Sequence, residues 1–144
     1  MRFRLSDIAI DGAAERRALA ADAAGACVVF EGWVRDHNDG RSVQRLDYQA
    51  YAELANNEGE RIIAEAISKF EVTDARCIHR IGNLVIGDIA IWVGVAAAHR
   101  GSAFDACRWI VDEVKLRVPI WKNEHYADGD SGWLHPDGKA VAEY

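Results

Sequence analysis

The chain has 144 residues, half of them hydrophobic and 28% charged, which suits one folded core and excludes a disordered or fibrous protein. Its net charge of −6 speaks against a nucleic-acid binder, which carries a basic excess, although 17 Lys and Arg can still gather around an anion. No stretch reaches the roughly 18 apolar residues of a membrane span and Met1-Arg2-Phe3-Arg4-Leu5 is no signal peptide, so a soluble, cytoplasmic protein with a single domain over 1–144 is expected.

In chain order, Phe3 to Leu5 predicts a short first strand. Residues 13–22, AAERRALAAD, are good helix formers. Gly25 ends that helix and opens a strand over Ala26 to Val34. Asp36-His37-Asn38-Asp39-Gly40 reads as a loop, followed by a strand from Ser42 to Tyr51. A helix is predicted from about Glu53 to Phe70, where Leu54, Ile62, Ile63, Ala66, Ile67 and Phe70 give one apolar face. Strands near Ala75 to Ile81 and Ile89 to Ala97 are punctuated by Gly82-Asn83 and Gly87-Asp88. The second is nearly continuously apolar, as a strand buried on both faces would be.

A further helix is expected with Ser102 as N-cap and Phe104, Cys107, Val111, Val114 and Val118 on one face, until Pro119 stops it. A last strand pair, Ile120 to Tyr126 and around Trp133, is joined by the Asp128-Gly129-Asp130 turn. The order β-α-β-β-α-β-β-α-β-β predicts an α+β fold with helices on a largely antiparallel sheet. Cys27, Cys77 and Cys107 lie far apart without a CxxC pair and read as buried thiols in a reducing compartment.

Three basic groups can carry chemistry. Arg35 ends a strand beside the Asp36–Gly40 loop. His99 and Arg100 stand where an apolar strand gives way to a helix, whose first N–H groups and positive dipole end favour a phosphate or carboxylate. Lys115 falls in that helix's last turn and Lys122 follows the Pro119 break, which can fold the two toward each other; a neighbouring cation or desolvation then favours a neutral amine. By residue type alone, each group also reads as ordinary surface charge or a capped turn. His37, His79, His99, His125 and His135 show no metal-ligand spacing, and His79 in its strand reads as packed or hydrogen-bonded. With no P-loop, G-x-G-x-x-G or G-x-S-x-G, neither a metal nor another cofactor is expected.

The chain resembles the large subunit of molybdopterin synthase, the MoaE family. The resemblance rests on Phe30-Glu31-Gly32-Trp33-Val34-Arg35-Asp36-His37-Asn38, Tyr48-Gln49-Ala50-Tyr51, Ile78-His79-Arg80-Ile81-Gly82, Val93-Gly94-Val95 through Ala98-His99-Arg100, and Lys115 to Lys122. It spans about residues 25 to 134.

The resemblance implies an α/β hammerhead with a small antiparallel β subdomain. It implies a homodimer at the centre of a heterotetramer, each large subunit binding a small ubiquitin-like sulfur carrier. The carrier's C-terminal thiocarboxylate would enter a pocket and give sulfur to cyclic pyranopterin monophosphate, forming the dithiolene of molybdopterin. Lys115 matches the family's leading catalytic lysine and Lys122 a supporting one; Arg35, His99 and Arg100 match residues lining the anionic substrate pocket. The family often has a further basic residue near the C-terminus, where this chain offers His135 and Lys139. The alternatives are a non-catalytic module docking a ubiquitin-like partner, and a phosphohydrolase, which would need a metal cluster or an Asp or Cys nucleophile.

Overall fold

The longest apolar run becomes the centre of the molecule. In the computed structural model, which describes residues 1–19, 22–136 and 138–139, strand β7 (Ile89–Ala97) lies between β5 (Asp74–Arg80) and β2 (Ala26–Trp33), with β1 (Phe3–Ser6) outside β5. The β1–β5 pair is parallel; β5–β7 and β7–β2 are antiparallel. Side chains alternate across a strand. One face of β7 therefore sends Ile91, Val93, Val95 and Ala97 into the main core, while Trp92 and Ala96 pack with Leu19 and Ile78 on the other. Burial on both faces, expected from the composition, is observed.

Helices α2 (Ala52–Lys69) and α3 (Arg100–Arg117) cover the first face. The buried stripe of α2 is Ala55, Gly59, Ile62, Ile63 and Ala66. Its small residues let the helix come close to β1: a Cβ on Gly59 would sit 2.2 Å from the Phe3 ring. Leu54, expected on this stripe, is 56% exposed, because Ala55 occupies that place. The stripe of α3 runs through Ala103, Ala106, Cys107, Ile110, Val111 and Val114 and leaves Phe104, also expected inside, 60% exposed. His99, not Ser102, is the N-cap, and it makes no capping bond with its side chain.

Helix α1 (Gly12–Ala18) is capped by Asp11, whose carboxylate accepts from the Ala14 N–H at 3.1 Å. It ends at Ala18 rather than running to residue 22, because Leu19 turns to an extended conformation and inserts into the core with Trp92; residues 20 and 21 of the expected helix lie outside the described residues. Cys77 and Cys107 are buried as expected, but Cys27 is exposed at the edge strand β2.

A second sheet runs β3 (His37–Asn38), β4 (Arg41–Ala50), β8 (Ile120–Tyr126), β9 (Gly129–Leu134), with β6 (Gly82–Val85) also pairing β4. Two of these strands interrupt segments expected as loop or punctuation. Asp39 and Gly40 both have positive φ, 50° and 74°, the two-residue hairpin geometry that Asp-Gly favours, so His37 and Asn38 pair with Ser42 and Arg41. Gly82 and Asn83 likewise pair with Tyr48 and Asp47. The class is α+β, helices on a mainly antiparallel sheet with an additional antiparallel β unit, as expected. Among the described residues no helix is long and apolar enough to cross a membrane.

Candidate active site

Where the C-terminal end of α3 meets the second sheet, a cleft of about 370 Å³ opens. Three of the expected site residues line it: Arg35 just past β2, Lys115 in the last turn of α3, and Lys122 on β8. Pro119 is the cause of the lysine convergence. It ends α3 at the Val118 cap and sends the chain back as β8, antiparallel to β4. His37, Asn38, Tyr48, His79 and Glu124 add further polar groups to the wall, and Leu46, Ala90 and Ile91 supply apolar surface.

The two lysines differ in their surroundings. Lys122 Nζ lies 2.9 Å from the buried Glu124 carboxylate. Asn38 Nδ2 donates to the other Glu124 oxygen at 2.9 Å and to the Tyr126 hydroxyl at 3.2 Å, and the Tyr126 hydroxyl itself bonds to Glu124. Arg35 Nη2 donates to Asn38 Oδ1 at 3.1 Å, which joins the guanidinium to the same network. Burial would raise the Glu124 pKa; the bonds from Tyr126, Lys122 and Asn38 and the Lys122 charge outweigh it and hold the carboxyl below its ordinary range. Lys115 has no such carboxylate partner among the described residues.

His79, on β5, donates from Nδ1 to the Arg80 carbonyl at 2.7 Å and meets the Tyr48 ring edge-on at 5.0 Å. Burial above all pushes its pKa down to about 4; the Arg80 bond opposes this and the Lys115 charge adds to it. Burial, and then the Glu124 charge, push the Tyr48 phenol up to about 12. Around neutral pH His79 and Tyr48 are therefore uncharged, and Arg35, Lys115 and Lys122 bring positive charge to the cleft. Such a site can bind an anion and stabilise an oxyanion as it forms.

Two neighbouring depressions extend the cleft. One, about 530 Å³, shares Lys115 and Pro136 with it and runs along Leu116, Pro119 and Trp121 to His135. The other, about 480 Å³, shares Arg35 and Lys122 and adds Arg41, whose guanidinium lies 3.7 Å over the Tyr126 ring.

His99 and Arg100 are elsewhere. They begin α3, whose 18 residues put its two ends about 27 Å apart at about 1.5 Å per residue. The anion site expected from Arg35, His99 and Arg100 is not assembled within one chain. Asn38, Tyr48, His79 and Glu124 were not expected in the site. A signal for part of this existed: Lys122, Glu124 and Tyr126 alternate along one strand and so share a face.

Comparison with known proteins follows the same lines. A family model described as MoaE protein matches residues 5–117. The chain is 49% identical over 119 residues to the Molybdopterin synthase catalytic subunit of Pyrococcus abyssi, covering 83% of this chain and 80% of that one. It is 40% identical over 131 residues to the protein of the same name from Pseudomonas aeruginosa, covering 90% and 87%. Among solved structures it is similar to molybdopterin synthase from Staphylococcus aureus, with a TM-score of 0.87, 34% identity and coverage of 93% and 97%. A chain from the complex of subunits 1 and 2 of the molybdopterin-converting factor of Helicobacter pylori shares the fold, with a TM-score of 0.73, 22% identity and coverage of 90% and 88%.

Proposed function

This chain belongs to the MoaE family, and from that premise we propose that it transfers sulfur from the thiocarboxylated C-terminus of a small ubiquitin-like carrier subunit to cyclic pyranopterin monophosphate, forming the dithiolene of molybdopterin. The observation that carries this reading is the convergence of Arg35, Lys115 and Lys122 on one cleft of an otherwise acidic chain. The cyclic phosphate of the acceptor and the thiocarboxylate of the donor are both anions, and both need cations to meet.

The thiocarboxylate sulfur bonds to the acceptor in place of an oxygen substituent; water then adds to the carrier's acyl carbon, which passes through a tetrahedral oxyanion and releases the sulfur on the acceptor, leaving the carrier as a carboxylate. A preorganised ammonium at that point lowers the barrier. Lys115 fits this role because its charge is not committed to a carboxylate; Lys122, held by Glu124, fits a supporting role in holding the anions. The groove past Leu116, Pro119 and Trp121 suits the extended tail of the carrier. The reaction is that of a cytoplasmic biosynthetic enzyme.

His99 and Arg100 enter this reading through a second copy. β2 is an edge strand and leaves Trp33 66% exposed, with Val29, Phe30 and Phe104 exposed nearby, an apolar margin suited to burial in a homodimer. A two-fold axis at the middle of that edge sets the Ala26 end of one β2 beside the Trp33 end of the other. Ala26 pairs with Ala97, and His99-Arg100 follows directly, so these residues reach toward Arg35 of the second copy. The anion site is then shared between copies, with a carrier subunit at each outer end of the heterotetramer.

The test is reconstitution. Purified chain incubated with thiocarboxylated carrier and cyclic pyranopterin monophosphate yields molybdopterin; a chain that binds the carrier but makes no product is a docking module and not the enzyme.

A further inference from the structure

Ile78-His79-Arg80 has no part in the mechanism just described, yet its histidine stands in the wall of the cleft. Along β5 the side chains alternate. Cys77 joins the core under α2 and α3, Ile78 packs on the opposite face with Trp92, and His79, back on the Cys77 side, lines the cleft together with Lys115. His79 is only 8% exposed.

Its tautomer follows from its one hydrogen bond. A carbonyl oxygen only accepts, so the ring hydrogen sits on Nδ1, 2.7 Å from the Arg80 oxygen, and Nε2 carries a bare lone pair. The edge-on Tyr48 ring, at 5.0 Å, fixes the plane. Nε2 has no partner among the described residues, and Lys115, which lines the same cleft, has no carboxylate partner there either. An acceptor that opens into the cleft without a donor thus shares it with a cation that no carboxylate holds.

We propose that His79 is the positioning residue of Lys115: its Nε2 accepts a hydrogen bond from the Lys115 ammonium and holds that group over the cleft. A neutral acceptor does what a carboxylate cannot. It aims the ammonium and leaves the whole charge for an incoming anion, whereas Glu124 neutralises Lys122. Burial serves the same end, because an imidazole whose pKa lies near 4 stays neutral and never confronts Lys115 as a second cation. What Lys115 then does rests on the sulfur-transfer reading; the contact between the two side chains does not.

Two substitutions separate positioning from packing. Glutamine puts an acceptor oxygen near the place of Nε2 but loses the Nδ1 donor. Asparagine keeps an N–H for the Arg80 carbonyl but offers nothing to Lys115. In single-turnover conversion of cyclic pyranopterin monophosphate with thiocarboxylated carrier, His79→Asn is expected to lose roughly 10- to 100-fold, the range for one hydrogen bond to a charged group, while His79→Gln keeps most of the rate. The opposite order, or equal rates, overturns the proposal.

Imidazole 15N NMR of the unliganded chain gives a reading independent of activity and of whether the His79 variants fold. At neutral pH the His79 Nε2 is expected without a proton, and Lys115→Ala moves its signal toward that of a free imidazole lone pair while Nδ1 stays in place. A protonated Nε2, or a signal indifferent to Lys115→Ala, overturns the contact. If the wild-type chain transfers no sulfur at all, the functional reading fails, and the NMR result still decides the His79–Lys115 pair.

Discussion

At the scale of single residues, the two lysines are expected to reverse their order between activity and stability. Lys115→Ala leaves the fold intact, since a lysine in the last helical turn contributes at most about 1 kcal/mol through the dipole, and removes most sulfur transfer. Lys115→Arg keeps the charge but does not restore the rate, because guanidinium neither yields a proton readily nor matches the geometry of an ammonium. Lys122→Ala reduces turnover less, yet costs about 1–3 kcal/mol of stability, because it takes a charged partner from a buried carboxylate that Asn38 and Tyr126 then hold alone. Single-turnover assays and urea unfolding of the same proteins check both orders; a Lys115→Ala protein at wild-type rate would falsify the catalytic assignment. Lys115 and Lys122 were legible in the sequence because Pro119 announces the fold-back that joins them. Asn38 and Glu124 were not, because their meeting crosses 86 positions of chain and depends on a hairpin of only two paired residues per strand.

At the scale of elements, the second sheet is clamped by one imidazole. His125, on β8, bonds through Nε2 to Asp47 on β4 and through Nδ1, at 2.7 Å, to Asp130 on β9. The Asp47 bond first, and then the Asp130 bond and both charges, raise its pKa above 6.5 against the opposing effect of burial. A group whose folded pKa is raised contributes its stability fully below the unfolded value, near 6.5, and loses it as pH rises through the folded value. The thermal midpoint should therefore fall from neutral into alkaline pH, and His125→Gln should flatten that part of the profile in calorimetry. The Phe3 ring under α2 gives a second expectation. Gly59→Ala improves helix propensity by about 1 kcal/mol but drives a methyl into a fully buried ring, and overpacking costs about 1–3 kcal/mol; urea unfolding should show a net loss or no gain. The long elements were legible because their periodicity runs over many residues, as in Ile89–Ala97. Strands as short as His37–Asn38 and Gly82–Val85 offer too few side chains for a period to show, and their glycines argue for turns instead.

At the scale of the whole molecule, a divided active site has a simple signature. Arg100→Ala and Lys115→Ala proteins, each nearly inactive, should regain sulfur transfer when unfolded and refolded together, since a mixed dimer contains one site with both side chains; mixtures as inactive as their parts would place Arg100 outside the site. Sedimentation at micromolar concentration should return the mass of two chains. The resemblance sets Arg35, His99 and Arg100 in one pocket, whereas within one chain His99 and Arg100 stand at the opposite end of α3 from Lys115 and outside the cleft that Arg35 lines. The place of β7 at the centre of its sheet also governs how the chain must be made. β2 and β5 each need β7 as a neighbour, and β7 is the last of the four strands to leave the ribosome. At about 5–20 residues per second, the apolar Val28-Val29-Phe30 segment waits on the order of several seconds with no strand to pair with. Conditions that slow synthesis around residues 89–97 should therefore lower the yield of folded protein without altering the stability of the molecules that succeed.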